Sequence, residues 1–239
     1  MDTLLLNLAE WIGAVAVAMI AGISPKFTRT KLVFKYPRRE GVVALGVFGF
    51  GLLTAAMLAA FPAASIGGLP GELTRYLEIA LISLVPVGVA LWRRKQPVRS
   101  AGWGREKLSA ALQLGLALAF FSIFLRGKFS AVVNGLSTNE LEMLLFCLVV
   151  SACEETIFRG YIQPRLASWW GETPGWLAAA ACFVIWQAPR LLLTPELIVP
   201  NGLLLVGQSV VAGYIMQRSG HALAPALYRS ISTWLLYVA

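Results

Sequence analysis

Long apolar stretches separated by short polar connections constrain this chain more than any other feature of its sequence. A helix needs about 20 mostly apolar residues to cross the hydrocarbon core of a bilayer. Only 13% of the 239 residues are charged, about half the ~25% of an average soluble domain. The sequence therefore predicts an all-α, polytopic membrane protein with about eight transmembrane helices. The predicted segments lie near 4–24, 41–63, 76–92, 109–125, 141–158, 175–190, 202–217 and 222–238.

Basic residues are concentrated in two of the predicted connections, at 26–40 and 93–107. Cytoplasmic loops are enriched in Lys and Arg, so both connections are predicted to be cytoplasmic, with the N- and C-termini on the outer side of a cell membrane. This topology and anionic membrane lipids account for the net charge of +8. No aromatic-basic patch or recognition module in the sequence indicates nucleic-acid binding. The basic residues are Lys26, Arg29, Lys31, Lys35, Arg38, Arg39, Arg93, Arg94, Lys95, Arg99, Arg105 and Lys107.

The sequence carries no sign of a second domain or of a cofactor site. We find no internal repeat or soluble domain, so a single membrane domain is predicted over 1–239. The cysteines Cys147, Cys153 and Cys182 lie in apolar runs without Cys-x-x-Cys spacing, which indicates neither a disulfide framework nor a zinc site. No cofactor and no metal are predicted.

Two adjacent acids, Glu154 and Glu155, interrupt the fifth apolar segment. Acids at membrane depth are costly and persist mainly where they are paired or line a polar cavity. On a helix Glu155 and Arg159 can face each other, whereas Glu154 points about 100° away. The spacing predicts an ion pair between Glu155 and Arg159 and leaves Glu154 free, as a candidate general base for hydrolysis. A buried ion network that only fixes helix packing is the alternative, and the residues alone favour the two equally.

The run from Glu154 to Gln163 resembles the first motif, Glu-Glu-x-x-x-Arg followed by Gly-Tyr, of the CPBP family of intramembrane proteases. This family includes the CAAX prenyl endopeptidases and bacteriocin-processing proteins. Phe183 to Gln187 lies where the family has Phe-x-x-x-His, and Gly207 to Pro225 resembles the stretch before its last motif. The resemblance covers about 140–233. It implies eight helices around a polar cavity open towards the cytoplasm and the membrane, where the first glutamate activates water for peptide hydrolysis.

The chain departs from the family pattern at both expected histidines. Gln187 ends the second motif, and Arg229 and Thr233 stand where the third has a histidine and an asparagine-like residue. Glutamine cannot accept and return a proton near neutral pH. Arg229 is predicted to lie in the cavity, bind Glu154 or Glu155 and hold the base in its ionised form. The candidate site residues are Glu154, Glu155, Arg159, Gln187 and Arg229.

The predicted function is that of a CPBP-type intramembrane endopeptidase that acts on a membrane-associated peptide and is catalytically impaired. The alternative is a pseudoprotease that serves as a binding or structural subunit of a membrane complex and contacts partner transmembrane helices. A small transporter that uses the acids for proton coupling is disfavoured because no repeat is visible.

Four polar residues outside the motifs also invite an interpretation. His221 can assist the site only if its ring points inward, and we expect it to be a surface residue at the start of the last helix. Glu10 is expected to reach the membrane interface. Gln208 and Ser209 are expected either to line the cavity of Glu154 or to form interhelical hydrogen bonds.

Overall fold

The chain folds into helices throughout the part that the structure describes. The computed structural model describes residues 3–27, 32–61, 71–191 and 198–238. No strand occurs in these ranges, which confirms the predicted all-α class. The α-helices are α1 (Thr3–Ala21), α2 (Pro37–Ala59), α3 (Gly71–Arg93), α4 (Leu108–Leu125), α5 (Phe129–Val133), α6 (Thr138–Glu155), α7 (Gln163–Trp170), α8 (Glu172–Leu191), α9 (Ile198–Ser219) and α10 (Leu223–Trp234).

A helix occupies each of the eight predicted apolar segments, although residues 62 and 63 of the second lie outside the described ranges. Within those ranges, three helical stretches are long and apolar enough to cross a membrane: Pro37–Ala59, Leu73–Arg93 and Arg105–Leu125. Leu5–Ala21 is a shorter apolar helix. The helices are thus those of a membrane-like protein, and the total of about eight crossings stays a prediction.

Many large apolar side chains are exposed and several charged side chains are buried, which is unusual for a soluble protein. Large apolar side chains such as Ile12, Leu53 and Phe124 are 60–71% exposed. Charged side chains such as Arg159 and Arg165 are at most 1% exposed. An apolar surface with charged side chains buried in the interior suits a protein whose solvent is lipid.

Glu10 is a further charged side chain in the interior. Its side chain is completely buried in α1 and accepts hydrogen bonds from Arg126 Nε at 2.7 Å and Ser122 Oγ at 2.9 Å. The expectation that Glu10 reaches the interface is wrong, because a hydroxyl on α4 and a cation just after its end compensate the charge of Glu10 inside the bundle.

The two basic loops lie at the same end of the bundle. Lys107 Nζ donates to the carbonyl oxygen of Lys26 at 3.1 Å, and Gln96 Nε2 donates to Glu40 Oε1 at 2.9 Å. Arg29 and Lys31 of the first loop lie outside the described residues. The prediction that the two loops share one side is therefore confirmed, whereas the assignment of that side to the cytoplasm stays a prediction.

A partly buried ion cluster ties these loops to α7, and we call it the loop network: Glu40, Arg94, Gln96 and Arg165. Glu40 pairs with Arg94 Nη2 at 3.0 Å and with Arg165 Nε at 3.2 Å. Arg165 Nη2 donates to Gln96 Oε1 at 2.6 Å. Charged groups that are 125 positions apart in the chain thus hold the loop end of the bundle together.

The centre of the bundle contains an unusual helical segment. α6 continues without a break into a π-helical segment, Thr156–Ile162, and then into α7. A Cβ atom at Gly160 in this segment would lie 2.1 Å from the carbonyl oxygen of Ala101, so only glycine fits there. π-helical turns are rare and frequently lie at functional sites.

Aromatic packing fixes the π-helical segment against α8. The ring of Phe158 lies edge-on to Phe183 at a centroid distance of 5.2 Å and also contacts Trp186 at 5.3 Å. Trp186 Nε1 donates to the carbonyl oxygen of Gly51 at 3.0 Å, which joins α8 to α2. The turn that follows the acids at the end of α6 is therefore packed into an apolar core.

Candidate functional site

Glu154, Glu155, Arg159 and Arg229 form a continuous cluster that we call the central ion network. Arg159 Nε pairs with Glu155 Oε2 at 3.2 Å. Arg229, from α10, pairs through Nη1 with Glu155 Oε1 at 2.8 Å and through Nη2 with Glu154 Oε2. The predicted Glu155–Arg159 pair and the predicted contact between Arg229 and the acids are both confirmed.

The central ion network is almost completely enclosed, with side-chain exposures of 7% or less. Two carboxylates face two guanidinium groups, so the formal charges of the network cancel. Helical spacing alone leaves Glu154 free, and that expectation is wrong because α10 brings Arg229 to it. Both acids are compensated, as buried charges must be.

Hydrogen bonds to α9 also hold the guanidinium group of Arg159. Its Nη2 donates to Ser209 Oγ at 2.9 Å and to the carbonyl oxygen of Ser209 at 3.0 Å. Ser209 Oγ in turn donates to the carbonyl oxygen of Ala180 at 3.1 Å. Ser209 therefore forms interhelical hydrogen bonds between α8, α9 and the π-helical segment, which was one of its two expected roles.

One aromatic ring serves both arginines of the network. The guanidinium carbon of Arg159 lies 4.6 Å from the ring centroid of Phe183, and that of Arg229 lies 4.4 Å from it. Cations stacked on an aromatic face are attracted by its quadrupole, most strongly where water is excluded. Phe183, identified from the sequence only as the start of the second motif, thus helps to hold both cations.

Gln187 reaches the second oxygen of Glu154. Its Nε2 donates to Glu154 Oε1 at 3.4 Å, a long contact compared with the ordinary 2.7–3.2 Å range. Both carboxylate oxygens of Glu154 therefore have a donor, one from Gln187 and one from Arg229. The structure thus brings Gln187 next to Glu154, and its role in a site stays a prediction.

Arg190 is a site residue that sequence reasoning missed. Its Nη1 donates to Gln187 Oε1 at 2.9 Å and so orients the Gln187 amide with its NH₂ group towards Glu154. The Arg190 guanidinium is stacked 3.5 Å from the ring centroid of Tyr76 on α3. The spacing of three residues from Gln187 was the available signal, because such pairs face each other on a helix.

The carboxylate of Glu154 borders a cavity of about 570 Å³, which we call the acid cavity. Gln187, Arg190 and Arg229 also line it, as do Gln208 and apolar side chains of α1, α6 and α9. The expectation that Gln208 lines the cavity of Glu154 is confirmed.

The acid cavity lies away from the two basic loops. It is lined by Asn7 near the start of α1, Leu73 near the start of α3 and Arg126 just after the end of α4. Those helix ends are opposite to the ends that the basic loops connect. The basic residues predict that the loops are cytoplasmic, and the family resemblance implies that the cavity opens towards the cytoplasm. Both expectations cannot hold, because the loops and this cavity lie at opposite ends of the bundle.

His221 is buried and is not among the residues that line the acid cavity. Its Nδ1 accepts a hydrogen bond from the Leu223 amide at 3.0 Å, and its ring lies edge-on to Trp103 at a centroid distance of 5.2 Å. Burial lowers the pKa of His221 below its usual value. The expected surface position is wrong, since the ring packs inside the connection between α9 and α10.

Fold and site together define the class of protein: a helical, membrane-type protein with two acids held in its interior by arginines. Residues 137–235 match the family described as Type II CAAX prenyl endopeptidase Rce1-like. The matched stretch contains the central ion network and Gln187, and it nearly coincides with the predicted 140–233. The match confirms the predicted resemblance and supports a CAAX-protease-like fold. No curated protein and no solved structure matches the chain.

Proposed function

We propose that this protein is a CAAX-protease-like intramembrane endopeptidase whose hydrolytic step is impaired, and that its acid cavity receives a membrane-associated peptide. One observation carries the proposal: Arg229 forms ion pairs with both Glu154 and Glu155. It occupies the motif position at which the resembling family has a histidine.

The chemistry of a general base explains why this pairing impairs hydrolysis. Glu154 must take a proton from water, and Arg229 occupies the carboxylate oxygen Oε2 that could accept that proton. Its other oxygen is engaged by Gln187. A single lost electrostatic donor typically costs ~10²–10³ in rate, so replacement of two histidines predicts a severe loss.

The lining of the acid cavity supports a peptide as the ligand. Trp11, Phe146 and Leu204 offer apolar contacts, whereas Gln187 and Arg190 offer hydrogen-bond donors. A mostly apolar wall with a few convergent polar groups is the usual form of a ligand pocket. An apolar peptide segment has both surfaces, since its side chains are apolar and its carbonyl oxygens accept hydrogen bonds.

The test is a double substitution, Gln187→His with Arg229→His. The full chain is reconstituted in liposomes with a farnesylated peptide ending in a CAAX sequence, and the released peptide is quantified by mass spectrometry. We expect the double variant to cleave at least about 10²-fold faster than the parent. The matched control adds Glu154→Ala to the double variant and should abolish the gain. Cleavage by the parent that Glu154→Ala removes would show a working protease and refute the impairment.

The second candidate is a binding or structural subunit of a membrane complex, and the charge balance of the central ion network favours it. Two fully compensated acids suit a static support for helix packing better than a reactive base. Under this function the double variant stays inactive. A photo-crosslinker at Leu204 in the acid cavity then captures a partner transmembrane helix in native membranes, whereas one at the lipid-exposed Leu53 does not.

A multi-pass location in the cell membrane completes the proposal, with both termini and the acid cavity on the outer side. The joined basic loops at the other end of the bundle support this orientation.

A further inference from the structure

A second cavity, of about 770 Å³, lies at the loop end of the bundle. It shares no lining residue with the acid cavity. Its apolar wall includes Leu32, Val33 and Phe34 from the first basic loop, Trp103 from the second, and Met216 from α9. We call it the loop cavity; it contacts the central ion network only through Arg159, and the proposed peptidase chemistry takes place in the acid cavity.

The rim of the loop cavity is basic. Arg99 and Arg105 are exposed and line it together with Lys107. Glu106 and Glu172 are the acids in its lining. The two loops that frame it carry 12 basic residues against two acids, Glu40 and Glu106, so the whole face is strongly positive.

The floor of the loop cavity is polar and deeply buried. Arg159 and Gln163 both line it, and they are only 1% and 4% exposed. Arg159 Nη1 and Gln163 Oε1 have no hydrogen-bond partner among the described residues. Two residues of the floor thus carry one unused donor and one unused acceptor. A hydroxyl group matches such a pair, because it accepts one hydrogen bond and donates another.

We propose that the loop cavity binds an anionic phospholipid whose headgroup carries a hydroxyl, such as a glycerol headgroup. The phosphate pairs with Arg99 and Arg105 at the rim, and the hydroxyl bonds to Arg159 and Gln163 at the floor. The acyl chains leave past Val33, which is 89% exposed. Basic pockets between membrane helices commonly bind such headgroups.

The experiment measures lipid binding to the purified full chain in nanodiscs by native mass spectrometry, with phosphatidylglycerol in competition with phosphatidylcholine. We expect retained phosphatidylglycerol on the parent. Arg99→Gln with Arg105→Gln should weaken retention roughly tenfold or more. The matched control, Arg93→Gln with Lys95→Gln, removes the same charge from exposed positions of the same loop outside the cavity and should retain the lipid.

A second variant distinguishes lipid binding in the loop cavity from general attraction of lipid to the charged surface. Ser168 lines the loop cavity, and Ser168→Phe fills it while leaving every charge in place. It should lose phosphatidylglycerol as the arginine variant does, with helical content checked by circular dichroism. Equal loss in the Arg93/Lys95 control, equal retention of phosphatidylcholine, or unchanged binding in folded Ser168→Phe would each overturn the proposal. Displacement of the lipid by millimolar inorganic phosphate would also overturn it, since the site would then take a free anion.

Discussion

The central ion network and the loop network use the same chemistry but differ in how deeply they are buried. In the central network Glu155 alone faces two arginines, Arg159 and Arg229. In the loop network one acid, Glu40, is held by Arg94, Gln96 and Arg165. Loss of either acid therefore leaves two arginines short of a partner, whereas loss of one donor leaves Glu155 or Glu40 still bound.

The difference in burial predicts at which residues a single substitution destabilises the fold most. Arg159 and Arg229 are only 1% and 6% exposed, so bulk solvent compensates little for a lost carboxylate. Arg94 in the loop network keeps 18% of its side chain exposed, so solvent shares in its stabilisation. The part of the chain that carries the family motif is thus the less tolerant of the two.

The largest effect is expected for Glu155→Ala. This change leaves Arg159 without its ion pair and Arg229 with only Glu154, and stranding a buried charge costs about 3–5 kcal/mol. The free energy of unfolding, measured in mixed detergent micelles by circular dichroism, should fall by that amount. Glu142→Ala removes an exposed acid from the same helix and serves as the control, with a change within about 0.5 kcal/mol. Equal losses in the two variants would show that the network stabilises nothing.

A smaller loss is expected for Arg165→Met in the loop network. Glu40 keeps Arg94 and Gln96, but the carbonyl oxygens of Ser100 and Tyr161 lose the donor that Arg165 supplies to both. Unsatisfied buried acceptors cost about 1–3 kcal/mol. The same unfolding measurement should place this variant between Glu155→Ala and Arg38→Met, a control at an exposed position. A loss as large as that of Glu155→Ala would remove the contrast between the networks.

Much of the central ion network was predictable from the sequence. Four-residue spacing placed Glu155 beside Arg159, and the cost of a lone cation in an apolar helix placed Arg229 near the acids. Local spacing does not reveal that Arg229 reaches Glu154 and Glu155 at once, because that depends on how α10 crosses α6.

Other features had no adequate sequence signal. Hydrophobic periodicity does not separate an α-helical turn from the π-helical turn at Thr156–Ile162. The pair of Glu40 and Arg165 joins residues that are far apart in the chain, and such contacts follow only from the tertiary fold. Ser219 and Gly220 are typical of an exposed turn, so the sequence predicts a surface position for the adjacent His221.

A still smaller effect is expected for Gln187→Leu. The contact from Gln187 to Glu154 is long, and the carboxylate keeps Arg229. Arg190 loses the acceptor that it now has in Gln187, so we expect a loss of about 1 kcal/mol in the same unfolding measurement. Gln187→Glu is the informative companion, since it keeps an acceptor for Arg190 but sets a third carboxylate beside Glu154. Greater stability of the Leu variant than of the parent would mean that the Gln187 amide is a net cost to the fold.

The last prediction concerns labelling rather than stability and decides which side of the membrane each network faces. Single cysteines replace Lys35, Arg99 or Asn134, all exposed, in a background where Cys147, Cys153 and Cys182 are alanine. Lys35→Cys and Arg99→Cys lie in the joined basic loops, so a membrane-impermeant maleimide added to intact cells should label neither. Asn134→Cys, in the connection after α5 at the other end, should be labelled. The reverse pattern would place the loop network outside and the acid cavity towards the cytoplasm, as the family resemblance implies, and would show that the twelve basic residues do not set the orientation.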